Sequence, residues 1–589
     1  MFILRTLLPT IVTLTATLST HAGATDSNLV LHYNAPATDW MTEALPIGNG
    51  FIGAMFFGDP EEEHIQFNDG TLWAGGPGAH PDYNYGNREG AAAHLEPVRA
   101  LIRANKTAEA DALASKELTG IIHKQEGENF EFGDYGAQQT MGDLYVTVDN
   151  LAAITDYSRR LDIGNGLGHV RYKAGDIHHT RTHFGSYPNR SMVYHFENDR
   201  PTGTTYVIRI ETPHPVDALE LHDNVIHLKG HVENNKLGFE TRVKIETNGK
   251  IEALDGNRFQ VSGAQSLTLY HFAHTAYLNK YPTYRGTDYV ANNDEVQQAL
   301  VDMDFQMVKA DHVADHQGLF GRFSLRLGSD PASQDFTDAR LRAYKEGAED
   351  PALEALFLQY ARYMTIAASR PGSLPMHLQG KWNNSTNPPW AADYHTNINL
   401  QMAYWPAEVT NLPECHQPLL DYTASLVAPG QVTAKTHFGT RGWTVNTMNN
   451  AFGFTAPGWA FPWGFFPGGA GWLAQHQWEH YAFTMDEDFL RNEAYPVMKE
   501  AALFWIDYLQ ENTAGDLVSI PSYSPEHGGI SAGASMDHQI AWDLLDNCVE
   551  AAAVLGIADE FSQTALRVPD QQTHRRPLGA TSGMDRGRG

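Results

Sequence analysis

The period of the sequence changes near Tyr289, and that change limits the folds open to the chain more than any other feature. From Asn28 to about Arg285 the pattern is strand. Segments 144–149, 169–184, 191–198, 204–212, 239–249 and 266–278 alternate or enrich β-branched and aromatic residues, with Gly, Asn and Asp turns between them. Many strands joined by turns predict a large antiparallel sandwich. An Ala-rich interruption at 91–118 predicts surface helix inserted between strands. The glycines of LPIGNGFIGAMFFG (45–58) fit tight turns and not a phosphate loop, since no GxxxxGK[ST] pattern follows.

Beyond Tyr289, segments 299–316, 339–344 and 351–368 space apolar residues three and four apart, as helices do. Asp350 before Pro351 marks a helix start, and Pro371 with Gly372 marks its end. Further helices are expected at 398–405, 418–426, 471–483, 486–509 and 538–555. Between them lie long aromatic, glycine-rich loops, notably TRGWTVNTMNN (440–450) and APGWAFPWGFFPGG (456–469). A bundle does not need such loops, so the pattern predicts an α/α toroid with a site at one mouth.

Residues 374–408, LPMHLQGKWNNSTNPPWAADYHTNINLQMAYWPAE, concentrate the chemistry. Trp382, Trp390 and Trp405 are expected to pack around Asn397 and Asn399, with His377, Asp393 and His395 close by. Flat rings beside fixed amides and imidazoles suit a sugar, whose C–H faces stack while its hydroxyls need directional partners. Pro388 and Pro389 stop any helix before Trp390, which puts the two asparagines at a loop-to-helix junction. The plain alternative is that the asparagines cap a helix and the tryptophans fill core.

Charge narrows the partners. With 70 acidic against 41 basic residues the formal net charge is −29, which repels nucleic acid and anionic membranes. Residues 1–24 have the charged start, apolar middle and small-residue finish of a secretory signal, so export to the periplasm or outside the cell is expected. No later run has transmembrane length. Cys415 and Cys548 leave a single bridge and two buried thiols equally open. His476 and His480 sit at i and i+4, but HQWEH is not the HExxH of a zinc hydrolase, and no metal or cofactor is expected.

The segments ALPIGNGFIGAMFFG, HIQFNDGTLWAGGPG, TMGDLYV, ARYMTIAASRPGSLPMHLQGKWN, DYHTNINLQMAYWPAE and SYSPEHG, in this order, resemble glycoside hydrolase family 95, the α-L-fucosidases and α-L-galactosidases. The likeness runs from Asn28 to about Ala558. It implies a sandwich domain (25–290), a helical linker (291–340) and an (α/α)6 catalytic domain (341–565), followed in the family by a small β-domain. It also implies inverting release of terminal, α-1,2-linked L-fucose from glycans without a cofactor, with α-L-galactosidase as the near alternative. Inversion needs an acid on the leaving oxygen and a base on water at the opposite face. Glu526 in SPEHG matches the family's general acid, with Tyr523 and His527 as neighbours that help set its protonation, while burial raises its pKa. Asn397 and Asn399 match two asparagines that activate water with help from a distant aspartate. His395 is the expected sugar contact, and Trp390, Trp443, Trp459, Trp463, Trp472 and His476 are candidate pocket walls. The tail 566–589 is basic and without amphipathic period, and reads as a truncated end that omits the activating aspartate. Asp393 and Asp537 are the nearest carboxylates, expected as cap or turn groups. An inactive carbohydrate-binding remnant is the alternative this ending predicts.

Overall fold

The computed structural model describes residues 27–124, 132–254, 256–328, 335–558 and 561. The expected export signal (1–24) and the atypical tail (566–589) lie outside them.

Two antiparallel sheets build the first half. One runs Val30–Tyr33, Ile154–Asp162, Leu167–Ala174, Ile177–Ser186, Ser191–Asn198, Ser266–Thr275, Gly238–Thr247, Val225–His231, Val216–His222. The other runs Lys250–Ala253, Arg258–Ala264, Thr204–Glu211, Gly142–Val148, Glu62–Asp69, Ile52–Phe56, Leu45–Gly48. Every second residue of Gly142–Val148 and Thr204–Glu211 is buried, so the period-two pattern becomes one apolar face per strand. The run 169–184 is two strands rather than one. The chain folds back between Ala174 and Ile177 through Gly175 at φ +63°, and alternation continuing on both sides of the turn conceals it in the sequence.

The Ala-rich interruption is a turn, Ala91–His94, and two helices, Leu95–Arg103 and Thr107–Glu117. It is not free surface. Arg99 is buried and donates to the Ile520 carbonyl at 2.7 Å and the Tyr508 carbonyl at 3.2 Å, docking the insertion onto the helical half.

The linker holds two helices where one run from 299 is expected. Asp288 caps Tyr289–Ala299, and Asp304 caps Phe305–Phe320 after a short turn. Val296, Leu300, Phe305 and Val308 pack on Phe184, Val193, Tyr270 and Phe272 of the large sheet. One turn apart on the same helix, His312 and His316 donate Nε2–H to the carbonyls of Gly166 (3.0 Å) and Ile163 (2.8 Å). Burial holds their pKa values down, to about 4 and about 3.

Thr337–Lys345, Pro351–Ala368, Pro413–Ser425, Gly469–Thr484, Tyr495–Tyr508 and Ser535–Leu555 are the main helices of the second half. Asp350 accepts from the Leu353 N–H at 2.8 Å and pairs with Arg340, as an N-cap before Pro351 should. The run 486–509 is broken: Glu487–Phe489 passes through a wide turn, Leu490–Ala494, before Tyr495–Tyr508, because Pro496 has no N–H to continue the ladder. Among the described residues no helix is long and apolar enough to cross a membrane. Cys415 and Cys548 are both buried free thiols.

The halves share one apolar core. Trp382 does not pack around Asn397. It is buried against the sandwich, where its indole N–H is shared by the carbonyls of Ile47 and Ala54, both at 3.1 Å. The main-chain carbonyl of Asn383 beside it accepts from Asn68 at 2.6 Å and from Gln66 at 2.9 Å, and the Asn383 side chain donates to the Gln138 side chain at 2.7 Å. Buried amide groups must be paired, so this cluster ties the two halves together.

Candidate active site

The two sequence regions richest in aromatic and amide groups meet. Tyr394–His395 pairs antiparallel with Met448–Asn449, and Thr396 bonds the carbonyls of Thr447 (through N–H) and Asn446 (through its hydroxyl), both at 2.8 Å. The helix Asn399–Tyr404 begins just beyond. Asn397 therefore stands between strand and helix, with its side chain free of either ladder. It is 8% exposed, and its Nδ2 donates to Glu526 Oε1 at 3.1 Å.

Glu526 is carried on a loop pinched at its base by reciprocal backbone bonds of 2.8 Å between Ser522 and Ser531. The Tyr523 hydroxyl closes the loop onto the Gly528 carbonyl at 2.8 Å. Asp537, buried in the first turn of Ser535–Leu555, accepts from the Ser522 hydroxyl at 2.6 Å and so anchors the same base. Burial pushes its carboxyl up to about 6. Glu526 itself is exposed, contrary to the expectation that burial by the protein raises its pKa, because the tip of the loop projects beyond its anchors.

Next to Asn397, His395 Nδ1 is hydrogen-bonded to Asp393 Oδ1, and the Tyr135 hydroxyl donates to Asp393 Oδ2. Asp393 is fully buried and follows the short helix Pro389–Ala392, but its carboxylate is spent on His395 and Tyr135 and not on a cap or a turn. Burial pushes its pKa up, against the pull of His395 and Tyr135. For His395, burial works against a charge, but Asp393 and then Glu526 outweigh it and hold the imidazole above its ordinary value. Trp459 meets the His395 ring edge-on at 5.8 Å. A cavity of about 290 Å³ adjoins, lined by His377, Asp393, His395, Asn399 and Met402 among others. Asn399 is exposed there, and burial drops His377 to about 3.

The arrangement thus brings together Glu526, Asn397, Asn399, His395 and Trp459. Of the other expected wall residues, Trp443 and His476 are placed elsewhere. Trp443 is core, its N–H bonded to the Val497 carbonyl at 3.0 Å. His476 is buried against His416 Nε2 at 2.8 Å, out of reach of a sugar. Trp390 and Trp463 are exposed, and Trp472 is half-buried edge-on to Phe466. Tyr135 has no signal in the sequence beyond its glycine neighbours. Gly136, at φ +79°, lies so close to Ala74 that a Cβ would fall 1.8 Å from its carbonyl oxygen, and this approach delivers Tyr135 to the site.

Among the described residues two clusters have metal-ligand composition. His416 and His480 each bond Glu408 Oε1 through Nδ1 at 2.7 Å. Donors on a tetrahedral zinc at about 2.0–2.1 Å stand roughly 3.3 Å apart, so this group is a hydrogen-bonded one. His80 and His123 stack at 4.4 Å and 4°, which aims their lone pairs side by side rather than at a common point, beside Asp134.

Residues 304–579 match the glycosyl hydrolase family 95 catalytic domain, a match that runs on into the tail read as atypical, and residues 31–280 match the N-terminal domain of glycosyl hydrolase family 65. A probable alpha-fucosidase A of Aspergillus niger is 30% identical over 552 residues, covering 90% of this chain and 68% of that protein. Alpha-L-fucosidase 2 of Arabidopsis thaliana is 29% identical over 573 residues, covering 90% and 65%. The chain thus spans about two thirds of the length of these relatives. Among solved structures, a putative kojibiose phosphorylase from human microbiome superposes with a TM-score of 0.61 at 10% identity, covering 92% of this chain and 70% of that one. This likeness supports the same order of sandwich and (α/α)6 toroid.

Proposed function

The chain belongs to glycosyl hydrolase family 95, and on that footing we propose that it is an exo-acting, inverting hydrolase of terminal α-L-fucosyl linkages. The observation that carries the reading is the bond of 3.1 Å between Asn397 Nδ2 and Glu526 Oε1, which joins residues far apart in sequence beside an imidazole and an indole. Glu526 is the acid that protonates the leaving oxygen. Its exposure leaves desolvation to the bound sugar, which would cover the loop tip and favour the neutral carboxyl. Asn397 and Asn399 position the attacking water on the other face of the ring. An amide is a feeble base unaided, so a carboxylate acting through them is part of the reading. His395 takes a sugar hydroxyl through Nε2, and Trp459 supplies an apolar face. The preferred substrate is an α-1,2-fucosylated glycan met outside the cytoplasm, in keeping with the N-terminal export pattern.

Release of L-fucose from a fucosyl-α-1,2-galactoside, with the first-formed anomer read by NMR, tests the proposal. A matched α-L-galactoside decides the position-6 preference. Glu526→Gln keeps the shape but has no acidic proton, and should lower turnover about 10²–10⁴-fold with sugar binding retained. More than half the activity surviving on a poor leaving group would place the acid elsewhere.

A further inference from the structure

Tyr135 belongs to the sandwich half, yet its side chain ends in the middle of the site. It is fully buried on the turn Gly133–Tyr135, and its hydroxyl reaches Asp393 Oδ2 and, at 3.0 Å, the Asn449 carbonyl. It therefore touches one strand of the small ladder that presents His395 and the residue leading into the other. Its own carbonyl accepts from Asn450 Nδ2 at 2.7 Å, and the Gln138 N–H bonds the Ala391 carbonyl at 3.0 Å, so the loop is held on both sides. Trp459 lies edge-on to Tyr135 at 5.8 Å and edge-on to His395 at the same distance, packing the two rings into one unit.

We propose that Tyr135 and Asp393 are positioning residues of the hydrolase, fixing His395 as the Nδ1–H tautomer with Nε2 turned to the substrate across the boundary between the two halves. The inference rests on the hydrolase reading above for its purpose, but not for its geometry. Each oxygen of Asp393 has one donor: Tyr135 on Oδ2, His395 on Oδ1. An imidazole nitrogen facing a carboxylate carries the proton, so the lone pair or second proton is at Nε2. Among the described residues the hydrogen bond recorded for the ring is the one at Nδ1, which leaves Nε2 for a hydroxyl of the ligand. If the Tyr135 hydroxyl were lost, Oδ2 would be a buried acceptor without its donor, and the charge of the carboxylate would rest on the imidazole alone.

The ionisable groups around this unit are few. Glu526 faces His395, and Tyr135, Tyr394 and Tyr422 face Asp393. Burial pushes all three tyrosines well up, so near neutral pH they keep their protons. Two substitutions then act on His395 in opposite directions. Tyr135→Phe removes a donor that competes with the imidazole for the carboxylate, and should raise the His395 titration by about one pH unit. Asp393→Asn removes the counter-charge, and should lower it by about one unit or more.

The experiment uses the whole chain with ¹⁵N-labelled histidine, the His395 ring signals being assigned by their loss in His395→Asn. Wild-type protein is expected to show the Nδ1–H tautomer, with the opposite shifts in the two variants and matching movement of the pH profile of kcat/KM. A wild-type Nε2–H tautomer, or a His395 titration unmoved in both variants, overturns the proposal whatever the activity. The wild-type spectrum serves even if a variant does not fold. Conversely, the expected titrations in a protein that releases no fucose would sustain the linkage and count against the hydrolase reading alone.

Discussion

Acid should weaken the joint between linker and sandwich. His312 and His316 are buried, and each spends its Nε2–H on a sandwich carbonyl. Folded, they resist protonation until about pH 4 and about pH 3, whereas in the unfolded chain each titrates near 6.5. A base whose folded pKa is depressed contributes stability that is complete above the unfolded value and is lost as pH falls below it, since the unfolded chain then binds the extra proton. Lowering pH from 7.5 to 5 crosses about 1.5 units of that window, at ~1.4 kcal/mol per unit and group, or ~4 kcal/mol for the pair. That is a large part of a typical domain stability of about 5–15 kcal/mol. Urea unfolding of wild type and of His312→Gln/His316→Gln at pH 7.5, 6.5 and 5 measures it. The variant should be weaker at pH 7.5, through poorer packing, but should lose ~4 kcal/mol less on going to pH 5. Equal pH dependence in the two proteins would refute the reasoning.

Two further outcomes are expected. Asn397→Ala should lower kcat at least about tenfold while leaving thermal unfolding nearly unchanged, since Asn397 Oδ1 has no protein partner among the described residues and Nδ2 bonds only an exposed carboxylate; unchanged kcat would remove Asn397 from the water-positioning role. Trp382→Phe keeps a ring but deletes the N–H shared by two buried carbonyls, and should cost about 1–3 kcal/mol in chemical denaturation. A variant as stable as wild type would show that those carbonyls find another donor.

What the sequence made legible followed from local period and local caps. Alternation in Gly142–Val148 survives as alternating burial, and Asp350 with Pro351 starts a helix where their chemistry requires it. The strand break near Gly175 was hidden because both arms of a hairpin carry the same alternation. Proximity was legible where a motif fixed a residue's place, since Glu526, Asn397 and His395 do lie together. The tryptophans were not separable. Trp443 and Trp459 both sit in glycine-flanked aromatic loops, and only tertiary packing decides that one faces Val497 while the other faces His395. Tyr135 and Trp382 were beyond reach for the same reason: their roles arise from docking between halves, which leaves no periodic trace in either.

The seam at Trp382 and Asn383 also decides how this architecture can be recombined. A chimera that took its sandwich from one relative and its toroid from another would keep the Trp382 latch almost automatically, because Ile47 and Ala54 offer main-chain carbonyls that any residue supplies. The amide knot is less forgiving. Asn383 and Gln138 pair side chain to side chain and must be inherited together, whereas Asn68 reads only the main chain of Asn383. Tyr135 and Asp393 form a second such set. A crossover placed in the linker would split both, even though no strand or helix is cut.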